Sequence, residues 1–69
     1  MFLLKPASLK NAFLRANYFK GSVFRETDIE GADFKFTTLE YSDFRDTNFH
    51  KANFEKARLG KTIFKGKII

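Results

Sequence analysis

Residues 32–54 read ADFKFTTLEYSDFRDTNFHKANF, and a large apolar side chain returns at every fifth position of this stretch. The same spacing extends in both directions. Steps of five from Leu4 to Ile69 meet only Leu, Ile or Phe, and seven of the ten phenylalanines lie on this grid. We call these positions the central places, and they predict the core of the fold.

The position two residues before each central place is also restricted. From Ala7 to Thr62 this small place holds only Ala, Ser or Thr, with Asn17 as the one exception. Residues two apart in an extended segment point to the same side, so both places are predicted to face inward. A period of five advances about 140° per step on a helix and forms no apolar stripe. The pattern therefore predicts short extended segments joined by corners, with four corners closing a coil of about twenty residues and coils stacked about 4.8 Å apart.

The repeat resembles the pentapeptide-repeat family, whose motif is a small residue, Asp or Asn, Leu or Phe, and two variable positions. Residues 32–34, 42–44, 47–49 and 52–54 match this motif closely. We call the Asp/Asn position the polar place and the two variable positions the first and second turn places. The polar place departs from the motif at several positions, among them Phe13, Tyr18, Val23, Arg58 and Ile63.

The resemblance implies an all-β fold, a right-handed quadrilateral β-helix. We expect residues 1–69 to form a single pentapeptide-repeat solenoid domain of about three coils. Regular coils should run from about residue 7 to residue 66, because Phe2 and Lys67 occupy the small place and are unsuited to burial there.

Composition argues against several classes of protein. The chain has no Cys, one His and one Met, which excludes a disulfide scaffold and a Cys-ligated metal site. It has no apolar run long enough to span a membrane and no secretory signal, so we expect a cytoplasmic protein. We expect no cofactor, no metal, no membrane partner and no catalytic residue. His50 is predicted to face solvent, and the polar-place carboxylates of Asp28, Asp33 and Asp43 are predicted to bond local backbone.

Charge falls into three bands along the sequence. Residues 1–25 carry five bases and no acid, residues 26–49 carry seven acids and two bases, and residues 50–69 carry six bases and one acid. Positions twenty apart predict three ion pairs between coils, namely Lys10–Glu30, Lys20–Glu40 and Lys35–Glu55. One uncompensated basic column also results, with Glu26 and Asp46 as its nearest acids, and its members are Lys5, Arg25, Arg45 and Lys65. The bands either hold the coils together or offer docking surfaces to acidic partners, including phosphates.

Four aromatic residues fall on outward or corner positions of two adjacent sides. We call them the aromatic surface, a candidate interaction surface made of Phe13, Tyr18, Phe36 and Tyr41. The C-terminal end offers a second candidate, because Phe64, Ile68 and Ile69 would be exposed there and would favour a homodimer or docking onto a larger partner.

Three functions remain open at the level of sequence. The first is a non-enzymatic structural or protein–protein interaction module whose partner the sequence does not identify. The second is implied by the family, some of whose bacterial members resemble B-DNA and protect DNA gyrase. The acidic band is short for such mimicry. The third is binding of nucleic acid or another polyanion through the basic bands. The expected lack of alternating basic and aromatic residues argues against this third function.

Overall fold

Parallel bridges between residues twenty positions apart organise the chain in a computed structural model that describes residues 8–65. No helix and no continuous strand lies within residues 8–65, and each extended segment contributes a single bridging residue. All bridging residues occupy the polar place. The bridges are Ser8–Asp28, Phe13–Asp33, Tyr18–Thr38, Val23–Asp43, Asp28–Asn48, Asp33–Asn53, Thr38–Arg58 and Asp43–Ile63. The result is a β-helix-like fold with the predicted period, and we call each twenty-residue winding a coil.

A tight turn separates each extended segment from the next. In most turns the amide of a small-place residue donates to the carbonyl of the preceding central residue, as Ala12 does to Leu9 at 2.9 Å. The second turn place has a positive φ in every turn from Asn11 to Lys61. A positive φ at this position is typical of a type II turn and favours glycine. Gly21 and Gly31 meet that preference, whereas nine other residues adopt the same conformation without being glycine.

Backbone hydrogen bonds join each coil to the next in a fixed pattern. The amide of Phe34 donates to the carbonyl of Asn53 at 2.8 Å, and the amide of Phe36 donates to the carbonyl of Glu55 at 3.1 Å. In the opposite direction the amide of Asn53 donates to the carbonyl of Ala32 at 2.9 Å. Each coil thus provides hydrogen-bond partners for backbone amides and carbonyls of its neighbours. These bonds fix the register between coils and therefore the position of every side chain.

Phenylalanine rings from the central places fill the axis. Phe24, Phe34 and Phe44 are fully buried. Rings twenty residues apart stack nearly parallel, with centroid separations of 4.6 Å for Phe24–Phe44 and 5.1 Å for Phe34–Phe54. Rings ten residues apart meet edge to face across the axis, as Phe24 and Phe34 do at 5.6 Å and 86°. Both arrangements are favourable for aromatic pairs. The core therefore contains two facing ladders of rings, and the aliphatic side chains of Ile29 and Leu39 are buried on the other two sides.

Residues at the small place line the inside of the turns, as predicted. Ala32 is buried, and so are five hydroxyl residues, namely Ser22, Thr27, Thr37, Ser42 and Thr47. Buried hydroxyls bond backbone carbonyls, for example Thr47 Oγ1 to Phe44 O at 2.9 Å. Thr27 Oγ1 is the exception, since it is buried with no hydrogen-bond partner among residues 8–65. These contacts confirm the inward register of the small place.

As the one amide residue at the small place, Asn17 is predicted to bond backbone inside the coil, the alternative being an irregular first coil near residues 16–18. Its Nδ2 does donate to the Leu14 carbonyl at 3.0 Å, but the residue is exposed. The side-chain amide thus donates to the central-place carbonyl that the backbone amide of the small place reaches in most other turns. The predicted bond to backbone is confirmed, whereas the prediction that the Asn17 side chain is buried was wrong.

Candidate interaction surfaces

The polar place supports the turns. In five repeats its side-chain oxygen Oδ1 accepts the backbone amide two residues later, at 2.9–3.1 Å, and these residues are Asp28, Asp33, Asp43, Asn48 and Asn53. Asx side chains commonly stabilise turns in this way. The expected local bonding of the three carboxylates is therefore confirmed. Ser8 Oγ accepts the Lys10 amide in the same way at 3.2 Å. Phe13 and Tyr18 at the same place cannot accept this bond, and their side chains are exposed.

Arg15 forms a close ion pair with the next coil. Its guanidinium lies 2.8 Å from Asp33 Oδ2. The backbone amide of Lys35 and then the Arg15 guanidinium lower the pKa of Asp33 below its usual value, although partial burial opposes them. A spacing of twenty residues does not predict this pair, because Arg15 and Asp33 are eighteen positions apart. A base at the first turn place lies diagonally opposite the polar place of the next coil, so the useful offset is eighteen.

Asp43 lies between two arginines of the basic column. It forms a bidentate pair with Arg45, with Nη2 at 2.8 Å from Oδ2, and Arg25 Nε approaches the same oxygen at 3.8 Å. Hydrogen bonds from the Arg45 side chain are the main reason that the pKa of Asp43 is lowered, and they raise the pKa of Arg45 in return.

The description of the basic column as uncompensated was therefore wrong for Arg25 and Arg45. Asp43 pairs with Arg45 of its own repeat and with Arg25 of the preceding coil, so one carboxylate offsets one of the two positive charges. Lys65 is exposed, and Lys5 lies outside the described residues. A role for this column in binding phosphates stays a prediction.

Of the three ion pairs predicted between positions twenty apart, one forms within the described residues and two do not. Lys10 and Glu30 lie 3.5 Å apart, which confirms that pair. The prediction was wrong for Lys20–Glu40 and Lys35–Glu55, since neither pair is within 4.0 Å in the described structure. Lys20 instead places its ammonium 6.0 Å from the centre of the Tyr41 ring. Competition from a neighbouring aromatic ring is not visible in charge spacing alone.

The aromatic surface is strongly exposed. The exposed fractions are 72% for Phe13, 73% for Tyr18, 53% for Phe36 and 63% for Tyr41, the four highest among the large apolar residues of the described chain. The Arg15 guanidinium lies 5.0 Å from the centre of the Phe13 ring. With Lys20 near Tyr41, this contact means that basic and aromatic residues do alternate here. The expectation that they would not was wrong.

Two members of the aromatic surface also have an unusual backbone. Phe36 and Tyr41 occupy the second turn place with φ values of 61° and 65°. Bulky residues seldom adopt this conformation, which costs about 1–2 kcal/mol relative to the right-handed region. Gly21 and Gly31 occupy the same place without that cost. The positive φ of these two residues therefore costs free energy, and burial of their rings does not offset that cost.

The remaining predictions concern His50, a metal site, a membrane-spanning segment and the C-terminal end. His50 is exposed, as expected. Within residues 8–65 no group of His, Asp and Glu is arranged to hold a metal ion, and no helix is long and apolar enough to cross a membrane. At the C-terminal end Phe64 is 37% exposed and stacks on Phe44 at 5.1 Å. Ile68 and Ile69 lie outside the described residues, so association through that end stays a prediction.

The sequence profile of the pentapeptide repeats matches eight copies, over residues 4–35 and 28–66. The chain belongs to the pentapeptide-repeat family. This family is typical of structural and interaction modules rather than enzymes. A comparison with curated proteins found no significant match.

Proposed function

We propose that this chain is a non-enzymatic module that binds another protein through its outward side chains. The fold we propose is a right-handed quadrilateral β-helix of about three coils. Four turns within each twenty-residue bridge interval support the four-sided form.

One observation carries the proposal: the outward side chains stand in columns whose spacing is set by the backbone. Coil-to-coil hydrogen bonds at about 3 Å hold the register, and the stacked rings fix the interior. Such a surface loses little conformational freedom on binding, since its backbone is already ordered. Preorganisation of this kind favours affinity.

The polar groups with catalytic potential are engaged in structure. The carboxylates of Asp33 and Asp43 each accept a backbone amide and pair with arginine. The same pairing weakens the case for DNA mimicry, because that function requires an extended uncompensated negative potential. Three coils also span only about 15 Å.

Photo-crosslinking tests the proposal. A benzoylphenylalanine residue is introduced in turn at Tyr18, His50 and Lys61, three exposed positions in different columns. We expect one position to yield an adduct with a defined protein. Saturable binding should then be reproduced with both components purified. The absence of a protein adduct from all three positions would contradict the proposal. Protection of gyrase from a quinolone in a supercoiling assay would establish DNA mimicry instead.

A further inference from the structure

The four rings of the aromatic surface share one neighbourhood of the coil. Phe13 and Tyr18 occupy successive polar places, and Phe36 and Tyr41 occupy successive second turn places about one coil further on. A coil that closes on itself is convex on its outside, so these rings project from the molecule rather than line a groove.

We propose that the aromatic surface docks an extended peptide segment that carries apolar side chains and a few carboxylates. This inference rests on the proposed function and specifies the surface and the kind of partner. Exposed rings of this number mark an interaction site more often than isolated apolar residues do. Aromatic residues are also the anchors most enriched in protein interfaces.

The charged residues around the rings are the reason for expecting carboxylates in the partner segment. The segments that carry the rings, residues 13–20 and 33–41, hold three cations, Arg15, Lys20 and Lys35, against two acids, Asp33 and Glu40. Lys20 lies beside the Tyr41 ring and forms no ion pair within 4.0 Å among the described residues, so a partner carboxylate that pairs with Lys20 lies next to an apolar contact. Complementary charge of this kind sets orientation and excludes wrong partners.

The same charges disfavour a nucleic acid. A polynucleotide brings one negative charge with every phosphate and binds through a continuous positive groove. Here Asp33 already occupies Arg15, and Glu40 adjoins Tyr41. A segment with few charges suits this surface better than a regular polyanion.

The positive φ of Phe36 makes a clean test available. Replacing Phe36 with glycine removes the ring and also relieves the backbone, so this variant should fold at least as well as the wild type. Lys51→Gly is the matched control, because Lys51 is exposed at the same repeat position with φ 61° but lies away from the rings.

The probe is a fluorescein-labelled peptide of alternating Leu and Ser with Asp residues at both ends, measured by fluorescence anisotropy. We expect Phe36→Gly to weaken binding at least tenfold with an unchanged or higher Tm, and Lys51→Gly to change Kd less than twofold. A peptide with terminal Lys should bind at least tenfold more weakly.

Three results would overturn the inference. These are no saturable binding of the Leu–Ser–Asp peptide, equal binding of a peptide with Ser in place of every Leu, and tighter binding of oligothymidylate that Phe36→Gly abolishes. If the peptide fails while a protein crosslinks through His50, the proposed function stands and only the assignment to the aromatic surface falls.

Discussion

Replacing three buried threonines with valine should give three different changes in stability. Thr27, Thr37 and Thr47 occupy the same repeat position and are all essentially inaccessible to solvent. Valine matches threonine in shape, so each replacement removes mainly the hydroxyl. The differences should therefore report the hydrogen bonds alone.

The structure assigns each hydroxyl a different bonding state. Thr27 Oγ1 has no partner among the described residues. Thr37 Oγ1 donates to Phe34 O at 2.6 Å, and that carbonyl also accepts the Thr37 amide at 3.2 Å. Thr47 Oγ1 donates to Phe44 O at 2.9 Å, and no other hydrogen bond within residues 8–65 reaches that carbonyl.

The magnitudes follow from what each replacement leaves behind. An unpaired buried polar group costs about 1–3 kcal/mol, so Thr27→Val should stabilise the fold by about 1 kcal/mol or more. Thr37→Val should destabilise by about 0.5–1.5 kcal/mol, since the carbonyl keeps its amide donor. Thr47→Val leaves the Phe44 carbonyl without its hydroxyl donor and should destabilise the fold by about 1–3 kcal/mol.

Urea unfolding followed by far-ultraviolet circular dichroism measures the free energy of unfolding of all three variants. The dependence of that free energy on urea concentration, the m value, should equal that of the wild type. The order of stability should be Thr27→Val, wild type, Thr37→Val, Thr47→Val. A destabilisation by Thr27→Val equal to that of Thr47→Val would refute the reasoning, because the hydroxyls would then not differ in bonding.

Three further predictions concern core packing, the ion pairs of Asp43 and the turn at Asn17. Ala32→Leu should cost about 1–3 kcal/mol because it overfills a fully buried position, whereas exposed His50→Ala should change stability by no more than about 0.5 kcal/mol in urea titrations; equal effects would mean that the register is misassigned. Asp43→Asn keeps the turn acceptor but loses both arginine pairs. Because the pKa of Asp43 is lowered in the fold, its stabilisation is present above the unfolded pKa of about 3.9 and is lost as pH falls through the folded pKa. The difference in free energy of unfolding between wild type and Asp43→Asn should therefore narrow below about pH 4. Asp28→Asn is the matched control, because it keeps the same turn acceptor and breaks no ion pair among the described residues. Asn17→Ala should lower the free energy of unfolding by up to about 1 kcal/mol through loss of its bond to Leu14 O, and a stabilising effect would show that this bond contributes nothing.

The inward pattern was readable from the sequence because it depends on residue size alone. A central Leu, Ile or Phe and a small residue two positions earlier leave one register in which both are buried, and the fully buried Phe34 and Ala32 obey it. The period of twenty followed from the corners that this register requires.

Surface chemistry was less predictable because several neighbours compete for each charged side chain. Lys20 lies near Tyr41 rather than pairing with Glu40, and Asp43 contacts Arg25 at a diagonal position and Arg45 within its own repeat. A comparison of aligned positions finds neither. The exposure of the aromatic surface was predictable, whereas the cations beside its rings were not.

The twenty-residue interval between bridged residues restricts how this chain can change in length. One inserted residue would turn every later central side chain outward. Five inserted residues would keep the inward pattern but bring the wrong side chains into alignment, for example separating Phe24 from Phe44. Only a gain or loss of a whole coil preserves both the pattern and the ladders. Repeat proteins grow by whole structural units, and here the unit that can be duplicated without repacking is twenty residues, four times the length of the sequence repeat.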